Sequence, residues 1–383
     1  MIYFDHAASS YPKPKSVGAA MLEAVNEYSA NPGRGGHQLA EKASEVISEA
    51  REKIATLFGA PSKKHVWFYQ NATMALNQAI IGFPFNEGDH VITSTYEHNS
   101  VLRPLEQLRR NRQIDITYID PGEDGVITVE EVKEKLNANT KMIVLSHASN
   151  VTGAFISLKP VAEVAKKAGA ILVVDASQTA GTLPIHMEEI GIDLLAFAGH
   201  KSLLGPQGTG VLISRSDYQL APLVHGGTGS YSEIMEQPQK WPDRYEAGTL
   251  NTPGIAGLLA GIDEINRIGL EQIYLHEQKL MEQFIAGLNE IKSIIYYGPT
   301  NLSKRVAVIP FRMAEIESHE LAMILDEHYN IAVRAGLHCS PKTHHYLNTV
   351  DVGLVRVSFG PYNTSAEVEK LLHALQEIAQ AFN

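Results

Sequence analysis

The stretches that decide the fold are ILVVD at residues 171–175 and LLAFAGHK at residues 194–201. A short apolar run bounded by turn residues is typical of a buried strand. Here the first run ends on Asp175, and the second leads into Lys201, which is followed by GPQGTG at residues 205–210. Most lysines are solvated surface charges. Apolar and then glycine-rich flanks make that interpretation less suitable for Lys201.

Short apolar runs alternate with amphipathic stretches through the middle of the chain. This alternation predicts an α/β fold with a mostly parallel, seven-stranded sheet and helices on both faces. Such sheets bind ligands at the carboxyl ends of their strands, where Asp175 and Lys201 fall. The predicted strands are 66–69, 91–94, 114–119, 142–146, 171–175, 194–197 and 210–214, and the predicted helices between them are 73–81, 102–111, 128–136 and 158–167.

The last third of the chain has a different order of patterns. After an irregular stretch at 226–242, helices are predicted at 254–267 and 270–289. Strands are then predicted at 306–310, 331–333 and 354–359, and helices at 318–329 and 365–382. This order indicates a smaller α+β domain. We predict a large domain at residues 15–252 and a small domain formed by residues 1–14 and 253–383.

The composition narrows the class of protein. The chain of 383 residues is 44% hydrophobic and 20% charged, which is typical of a globular protein. Its net charge of −11 works against nucleic acid or an anionic membrane surface as a partner. No apolar run approaches the length of a membrane span, and the first residues lack the pattern of a signal peptide. We therefore expect a cytoplasmic protein without nucleic-acid or membrane partners.

Cys339 is the single cysteine. It excludes a disulfide within the chain and a zinc site built from several cysteines. The chain contains no His-Glu-x-x-His pattern, so we expect no metal site.

Lys201 and Asp175 at neighbouring strand ends suggest one kind of chemistry. The amine can form a Schiff base with a carbonyl cofactor, and the carboxylate can keep the ring nitrogen of that cofactor protonated. Pyridoxal phosphate needs these two groups from its protein.

Other predicted strands also end in polar side chains. Residues 71–73 open a helix and suit a phosphate, although Asn and Thr are equally favoured as plain helix caps. His98 can lie flat on a pyridine ring or be a structural loop histidine. The amides of Asn150 and Gln178 can bond a phenolic oxygen or cap a helix. Each signal is weak alone, but their repetition at five strand ends favours a ligand site.

Two further residues have two interpretations each. Arg356 lies within an apolar strand, and a buried guanidinium needs an anionic partner. That partner is either the α-carboxylate of an amino-acid substrate or an internal Asp or Glu. Cys339 lies in a loop with Arg334 and His338 nearby, which favours the reactive thiolate. A lone cysteine is otherwise more often an inert filler.

Seven motifs in this order resemble a known family. They resemble the class V aminotransferase-fold enzymes that use pyridoxal phosphate, and most closely the cysteine desulfurase and selenocysteine lyase group with a short catalytic-cysteine loop. The resemblance runs nearly end to end. The motifs are DHAA at residues 5–8, NPGRGGH at 31–37, EH at 97–98, VDASQ at 174–178, GHK at 199–201, YEAGT at 245–249 and RAGLHC at 334–339.

The resemblance implies roles for the cofactor-binding residues. Lys201 forms the Schiff base and then shuttles a proton, Asp175 pairs with the pyridine nitrogen, and His98 stacks on the ring. The resemblance places the remaining residues at the phenolic oxygen (Asn150 and Gln178), at the phosphate (Ala72, Thr73 and His200) and at the phosphate of a neighbouring subunit (Thr249). The last of these implies a homodimer.

The resemblance also implies the substrate residues and the reaction. Arg356 binds the substrate carboxylate with help from His37 and Arg334, and Cys339 accepts the sulfur. L-cysteine would become L-alanine, a persulfide would form on Cys339, and a sulfur-accepting protein would take it over. L-selenocysteine could follow the same path.

Two departures from the family pattern affect these expectations. Ala198 stands where many relatives carry Ser or Thr, which removes one hydrogen bond to the phosphate worth roughly 1 kcal/mol. We therefore expect weaker cofactor retention. Leu337 replaces a commonly polar residue, and an apolar surrounding would oppose thiolate formation at Cys339.

Two other functions remain open at this stage. One is another enzyme of the same fold, such as a selenocysteine lyase, aminotransferase, epimerase or β-eliminating lyase, in which Cys339 is incidental. The other is a non-catalytic binding protein that keeps the fold.

Overall fold

The structure is a computed structural model that describes residues 1–33, 36–228 and 233–382. Part of the predicted irregular stretch at 226–242, residues 229–232, lies outside the described residues, as do Arg34 and Gly35 of the NPGRGGH motif. The strands are β1 (Ile2–Tyr3), β2 (Val66–Tyr69), β3 (His90–Ser94), β4 (Asp115–Ile119), β5 (Thr140–Ser146), β6 (Ile171–Asp175), β7 (Leu194–Ala198), β8 (Gly210–Ser214), β9 (Ile294–Tyr296), β10 (Val308–Met313), β11 (Ile331–Ala332), β12 (Arg334–Gly336) and β13 (Leu354–Ser358).

The helices occupy the intervals between these strands. They are α1 (Lys15–Glu27), α2 (Gln38–Phe58), α3 (Ala72–Ile81), α4 (Asn99–Arg112), α5 (Val129–Lys135), α6 (Leu158–Ala168), α7 (Met187–Ile190), α8 (Thr252–Ile268), α9 (Leu270–Asn289), α10 (Ser318–Tyr329), α11 (Pro341–Tyr346) and α12 (Ser365–Phe382). No helix of the described ranges is both long and apolar enough to span a membrane.

The large sheet has seven strands within the described residues, in the order β2-β8-β7-β6-β5-β3-β4. The neighbouring strands among β3, β4, β5, β6 and β7 pair in parallel. Strand β8 runs antiparallel to both of its neighbours, β2 and β7. The prediction of a mostly parallel sheet of seven strands is therefore confirmed. The register aligns Ser146 with Asp175 and Asp175 with Ala196, so the carboxyl ends of β5, β6 and β7 meet at one edge.

Both faces of this sheet are buried. Leu172 and Val174 of β6 belong to one apolar core, and Val173 between them belongs to the other. Alternate side chains of a strand point to opposite faces, so a strand covered on both faces must be apolar at every position. Helices α2, α6 and α8 contribute to the first core, whereas α3 and α4 contribute to the second.

A second, antiparallel sheet has the order β12-β13-β10-β9. Its core joins side chains from α9, α10 and α12 and also includes Phe4, which is fully buried. The first residues of the chain reach this region because β1 pairs in parallel with β11. The predicted division at residue 252 stays a prediction. Helix α8 lies beyond that position, yet residues from Ile255 to Ile265 pack in the core of the large sheet.

The sequence prediction did not include β1, β9, β12, α1, α2, α7 and α11. The stretch that we predicted as a loop around Cys339 contains β12 before the cysteine and α11 after it. Helices α1 and α2 have 13 and 21 residues, whereas the other missed elements have between two and six. Elements this short are too brief to establish a hydrophobic period.

Candidate active site

A cavity opens at the carboxyl edge of the large sheet. It encloses about 790 Å³ of space between atoms, including its open mouth. Side chains from both sheets line it. They are Ala7, Ala8, Asn71, Ala72, Thr73, His98, Ser100, Ser146, Ala148, Asn150, Asp175, Ser177, Gln178, Ala198, His200, Lys201, Arg334, His338, Cys339 and Arg356. The structure thus brings together the predicted site residues except His37 and Thr249.

Lys201 lies in the turn that follows β7. Burial lowers the pKa of its amine to about 8, and the negative charge of Asp175 opposes this effect in part. Asp175 ends β6 and accepts a hydrogen bond of 2.9 Å from the Ser177 N–H. An amine with a lowered pKa is unprotonated in a larger fraction of molecules near neutral pH, which makes it a nucleophile and a base.

His98 caps the amino end of α4. Its Nδ1 accepts a hydrogen bond of 3.1 Å from the Ser100 N–H, so the proton of the neutral ring is on Nε2. Burial, helped by the positive charge of Lys201, lowers the pKa of His98 to about 4. The ring is therefore neutral at physiological pH, and its face is available to an aromatic ligand.

Ser100 connects two of the predicted cofactor residues, and sequence reasoning did not identify it. Its hydroxyl lies 2.8 Å from His98 Nδ1 and 2.7 Å from Thr73 Oγ1. A serine one turn into a helix carries no distinctive signal, because its role depends on the neighbouring helix α3.

Helix α3 presents its amino end to the cavity. Asn71 caps it by accepting a hydrogen bond of 2.9 Å from the Met74 N–H. The first-turn N–H groups of Ala72 and Thr73 have no partner within an α-helix, and such groups bind anions. Gly210 allows this arrangement, since a Cβ there would lie 2.2 Å from the main chain of Asn71.

The Nδ1 atom of His200 is buried and has no hydrogen-bond partner among the described residues. Burial, together with the positive charges of Lys201 and Lys13, lowers the pKa of this ring to about 4. A neutral imidazole can donate from that nitrogen to a phosphate oxygen. The Ser177 hydroxyl, another cavity-lining group, is similarly buried without a partner.

Glu97 lies beneath the cavity floor and is fully buried. Its carboxylate accepts hydrogen bonds from the Ser94 hydroxyl at 2.6 Å and from the Ser146 hydroxyl at 2.7 Å. Burial raises the pKa of Glu97 to about 7 in spite of these donors. The contacts fix the ends of β3 and β5 relative to each other, next to His98.

The two predicted amide residues already have protein partners. Asn150 donates a hydrogen bond of 2.7 Å to the His338 carbonyl, and Gln178 donates one of 3.0 Å to the Ala7 carbonyl. Each amide nitrogen carries two hydrogens, so a second donor remains for a ligand. The predicted contact with a phenolic oxygen stays a prediction.

Arg356 is fully buried and lines the cavity from β13. One Nη atom forms an ion pair of 2.7 Å with Asp5, and the other donates to the Asn150 carbonyl at 2.9 Å. The internal ion pair, which was the alternative interpretation, is therefore present. The buried Nε has no partner among the described residues, so the guanidinium keeps one unused donor.

Cys339 is exposed and also lines the cavity. Its sulfur lies 3.8 Å from an Nη atom of Arg334. A nearby guanidinium stabilises a thiolate. Leu337, which we expected to make this surrounding apolar, is 37% exposed and leaves the thiol accessible.

His37 and Thr249 lie outside the cavity of their own chain. His37 is exposed and caps α2, where Nδ1 accepts a hydrogen bond of 3.4 Å from the Ala40 N–H. Thr249 is exposed on the loop before α8. Their predicted roles stay predictions. No group of three or more potential metal ligands forms within residues 1–33, 36–228 and 233–382.

The residues present fit pyridoxal phosphate. The cavity supplies a reactive amine, a carboxylate, a neutral histidine face and a helix amino end beside an unpartnered imidazole nitrogen. Lys201 and Asp175 would hold the aldehyde and ring nitrogen, and Thr73 and His200 would hold the phosphate. The orphan nitrogen of His200 is the observation that favours an anion most directly.

Comparison with known proteins gives a consistent result. A probable cysteine desulfurase from Methanothermobacter thermautotrophicus is 37% identical over 99% of this chain and 94% of its own length. One from Pyrococcus abyssi is 35% identical over 100% of this chain and 95% of its own length. Among solved structures, the apo cysteine desulfurase of Thermococcus onnurineus is 35% identical, covers 99% of this chain and 95% of its own, and superposes with a TM-score of 0.94.

The model of one protein family, described as aminotransferase class-V, matches residues 2–371. Pyridoxal phosphate is the cofactor of these enzymes, in agreement with the chemistry of the cavity. The match covers nearly the whole chain, and so the protein belongs to the class-V aminotransferase family.

Proposed function

We propose that the protein is a pyridoxal-phosphate-dependent cysteine desulfurase. It converts L-cysteine to L-alanine and keeps the sulfur as a persulfide on Cys339. The carrying observation is that the only cysteine of the chain lines the same cavity as Lys201, with the Arg334 guanidinium 3.8 Å from its sulfur. The relatives at 35–37% identity bear the name of this activity.

Lys201 acts as the base. When bound, pyridoxal phosphate supplies an aldehyde for amines and a ring that accepts electrons. The amine of Lys201, with a pKa of about 8, accepts the α-proton of the substrate and later returns a proton to carbon. Asp175 keeps the ring nitrogen protonated by accepting its hydrogen bond.

Arg356 and Arg334 bind the substrate carboxylate. The planar fork of a guanidinium matches the two oxygens of a carboxylate. The Arg356 Nε is unused within the described chain, while Asp5 and the Asn150 carbonyl hold its two Nη atoms in a fixed orientation. The bound substrate is thereby oriented with its sulfur toward the cavity mouth.

Cys339 accepts the sulfur. Its thiolate attacks the substrate sulfur, so that an S–S bond forms while the C–S bond breaks. The electron pair of the broken bond remains on the substrate carbon, which takes up a proton and leaves as the methyl group of alanine. No external oxidant or reductant is needed.

A sulfur-accepting protein takes the persulfide in the next step. Cys339 is exposed at the cavity mouth, which supports transfer to a second macromolecule. L-selenocysteine is a second substrate that we propose for the same site, since a selenium–carbon bond breaks more easily.

A homodimer in the cytoplasm is the state that we propose for the enzyme. The exposed position of Thr249 supports a role at the phosphate of a neighbouring subunit. Leu22 and Val25 of α1 and Leu39 of α2 are also more than half exposed, which supports an apolar contact between subunits. A reducing compartment is needed because Cys339 must remain a free thiol.

The variant Cys339→Ala tests the proposed function. Wild-type protein incubated with L-cysteine should release alanine and carry one persulfide. The variant should retain the absorbance of the bound cofactor and lose both products.

Three results would point elsewhere. Unchanged alanine production by the variant would make Cys339 incidental, as in another enzyme of this fold. Turnover without alanine in the wild type would indicate a transaminase or an eliminating lyase. Wild-type protein that takes up no pyridoxal phosphate would indicate a non-catalytic binding protein.

A further inference from the structure

The segment that carries Cys339 has an unusual backbone. His338 and Cys339 have φ angles of 51° and 60°, so two consecutive residues with side chains adopt the left-handed conformation. Residues other than glycine rarely do so, and the conformation persists only where neighbouring structure holds it. The contacts that hold it are therefore part of how the thiol is placed.

Three hydrogen bonds attach this segment to the edge of the large sheet. The Asn150 amide donates to the His338 carbonyl at 2.7 Å, and the Asn99 N–H donates to the Cys339 carbonyl at 2.8 Å. The Ser340 hydroxyl donates to Asn150 Oδ1 at 2.6 Å. The Asn150 side chain thus contacts the residues on both sides of the cysteine.

The His338 carbonyl and the Ser340 hydroxyl together hold the Asn150 amide in one orientation. A carbonyl only accepts, so the amide nitrogen must face His338 and the amide oxygen must face Ser340. Ser340 is fully buried and Asn150 is 8% exposed, so water does not easily replace this hydroxyl. Without it, Asn150 Oδ1 would be a buried acceptor lacking this donor, and only the hydrogen bond to the His338 carbonyl would still hold the amide.

We propose that Ser340 is a positioning residue for Cys339: its hydroxyl orients the Asn150 amide, which holds the cysteine segment against the cofactor-facing edge of the sheet. The proposal rests on the proposed function, in which the Cys339 sulfur must reach the sulfur of a substrate bound at Lys201. Ser340 itself contacts neither substrate nor cofactor.

The test compares Ser340→Ala with Ser214→Ala in the holoenzyme. Ser214 is also fully buried, and its hydroxyl donates to the Ser216 carbonyl at 2.7 Å, remote from the cavity. Both variants lose one buried hydroxyl bond, but only the first loses contact with Asn150. The measurements are kcat and KM for alanine release, the cofactor absorbance, the melting temperature, and the rate at which iodoacetamide alkylates Cys339, the only cysteine of the chain.

Ser340→Ala should lower kcat by roughly tenfold, because a less firmly placed Cys339 sulfur reaches the substrate sulfur less often, with KM and absorbance unchanged. Alkylation of Cys339 should become faster because the thiol is held less firmly. Ser214→Ala should match the wild type in all of these except the melting temperature.

Two results would overturn the proposal. One is equal kcat and equal alkylation rate in the two variants. The other is a loss of absorbance or of melting temperature in Ser340→Ala beyond that of Ser214→Ala, which would assign Ser340 a purely structural role. If the wild type itself makes no alanine, the proposed function fails, and the alkylation rates still decide whether Ser340 holds the cysteine segment.

Discussion

Lys201 shows how the surroundings of one side chain adapt it to covalent chemistry. It follows a strand of five buried residues. The burial of the Lys201 amine itself lowers its pKa to about 8. An exposed lysine would be almost entirely protonated near neutral pH. The place where the strand positions Lys201 therefore also determines how reactive its amine is.

The pH dependence of cofactor uptake tests this property. The unprotonated amine is the form that attacks an aldehyde. The rate at which cofactor-free protein binds pyridoxal phosphate should rise through pH 6 and 7 and level off above about 8. Stopped-flow absorbance from pH 6 to 10 measures it. A rate that continues to rise to pH 10 would show that the amine has the pKa of an ordinary lysine.

Arg356 gives a second prediction at the level of a residue. Lysine at this position keeps the charge but cannot form a planar fork with a carboxylate. Arg356→Lys should raise the KM for L-cysteine by roughly tenfold, the effect of losing about 1.4 kcal/mol of charged hydrogen bonding. The control is Arg267→Lys, which removes an exposed fork to Glu264 and should leave KM unchanged. Equal KM values in both variants would exclude Arg356 from substrate binding.

Helix α9 carries an ionisable residue on its buried face. Glu277 lies on its buried face with Ile273, Leu280 and Met281, and is 5% exposed. Burial raises the pKa of this carboxyl to about 8. The folded protein therefore binds a proton that the unfolded chain releases above about pH 4.5. The proton bound by Glu277 therefore leaves the free energy of unfolding unaffected below pH 4.5. It reduces this free energy progressively as the pH rises to about 8.

Glu277→Gln should remove this loss. The variant should exceed the wild type in free energy of unfolding by on the order of 2 kcal/mol at pH 8, and by less at pH 5. Urea unfolding at the two pH values measures the difference. Glu282→Gln on the exposed face of α9 is the control and should change little at either pH. An equal effect of Glu277→Gln at both pH values would contradict the assignment.

Several elements with a long or simple pattern could be predicted, although the long helices α1 and α2 were missed. Strands β2, β6 and β8 and helices α9, α10 and α12 have the predicted bounds because turn residues limit an apolar or periodic run at each end. Asp175 and Lys201 could be placed at the same edge because parallel strands align their carboxyl ends. The family resemblance, rather than the spacing, assigned roles to His200 and Thr249.

The contacts that could not be predicted join residues far apart in the chain. Ser100 meets Thr73, Ser340 meets Asn150, and Asp5 meets Arg356 across 351 positions. No periodicity announces such pairs. The two short elements on either side of Cys339, β12 and α11, were also missed, since they are stabilised by packing against the rest of the protein rather than by their own pattern.

The amino-terminal residues join the parts of the whole molecule. Phe4 fills the core of the small sheet, where its ring meets Phe359 at a centroid distance of 5.3 Å. Asp5 pairs with Arg356, and the Ser10 hydroxyl donates to the Lys201 carbonyl at 2.9 Å. The first ten residues therefore contact both the small core and the turn that holds the reactive lysine.

Phe4→Ala tests the importance of this connection. Removing a fully buried ring should reduce the free energy of unfolding by about 3–5 kcal/mol and weaken cofactor retention as well. Guanidinium unfolding and the loss of cofactor absorbance on dialysis measure the two effects. Leu275→Ala, at a side chain that is 52% exposed, is the control. A change no larger than that of the control would mean that the first residues add little to stability.

The pairing of β1 with β11 has a consequence for synthesis of the protein. Ile2 and Tyr3 leave the ribosome more than three hundred codons before their partners Ile331 and Ala332 are translated. The growing chain can assemble the parallel sheet early while its leading end stays unpaired. The pocket for the vitamin B6 derivative is complete only once Arg356, which lines it, has been translated, so full binding of the cofactor must follow synthesis of both sheets.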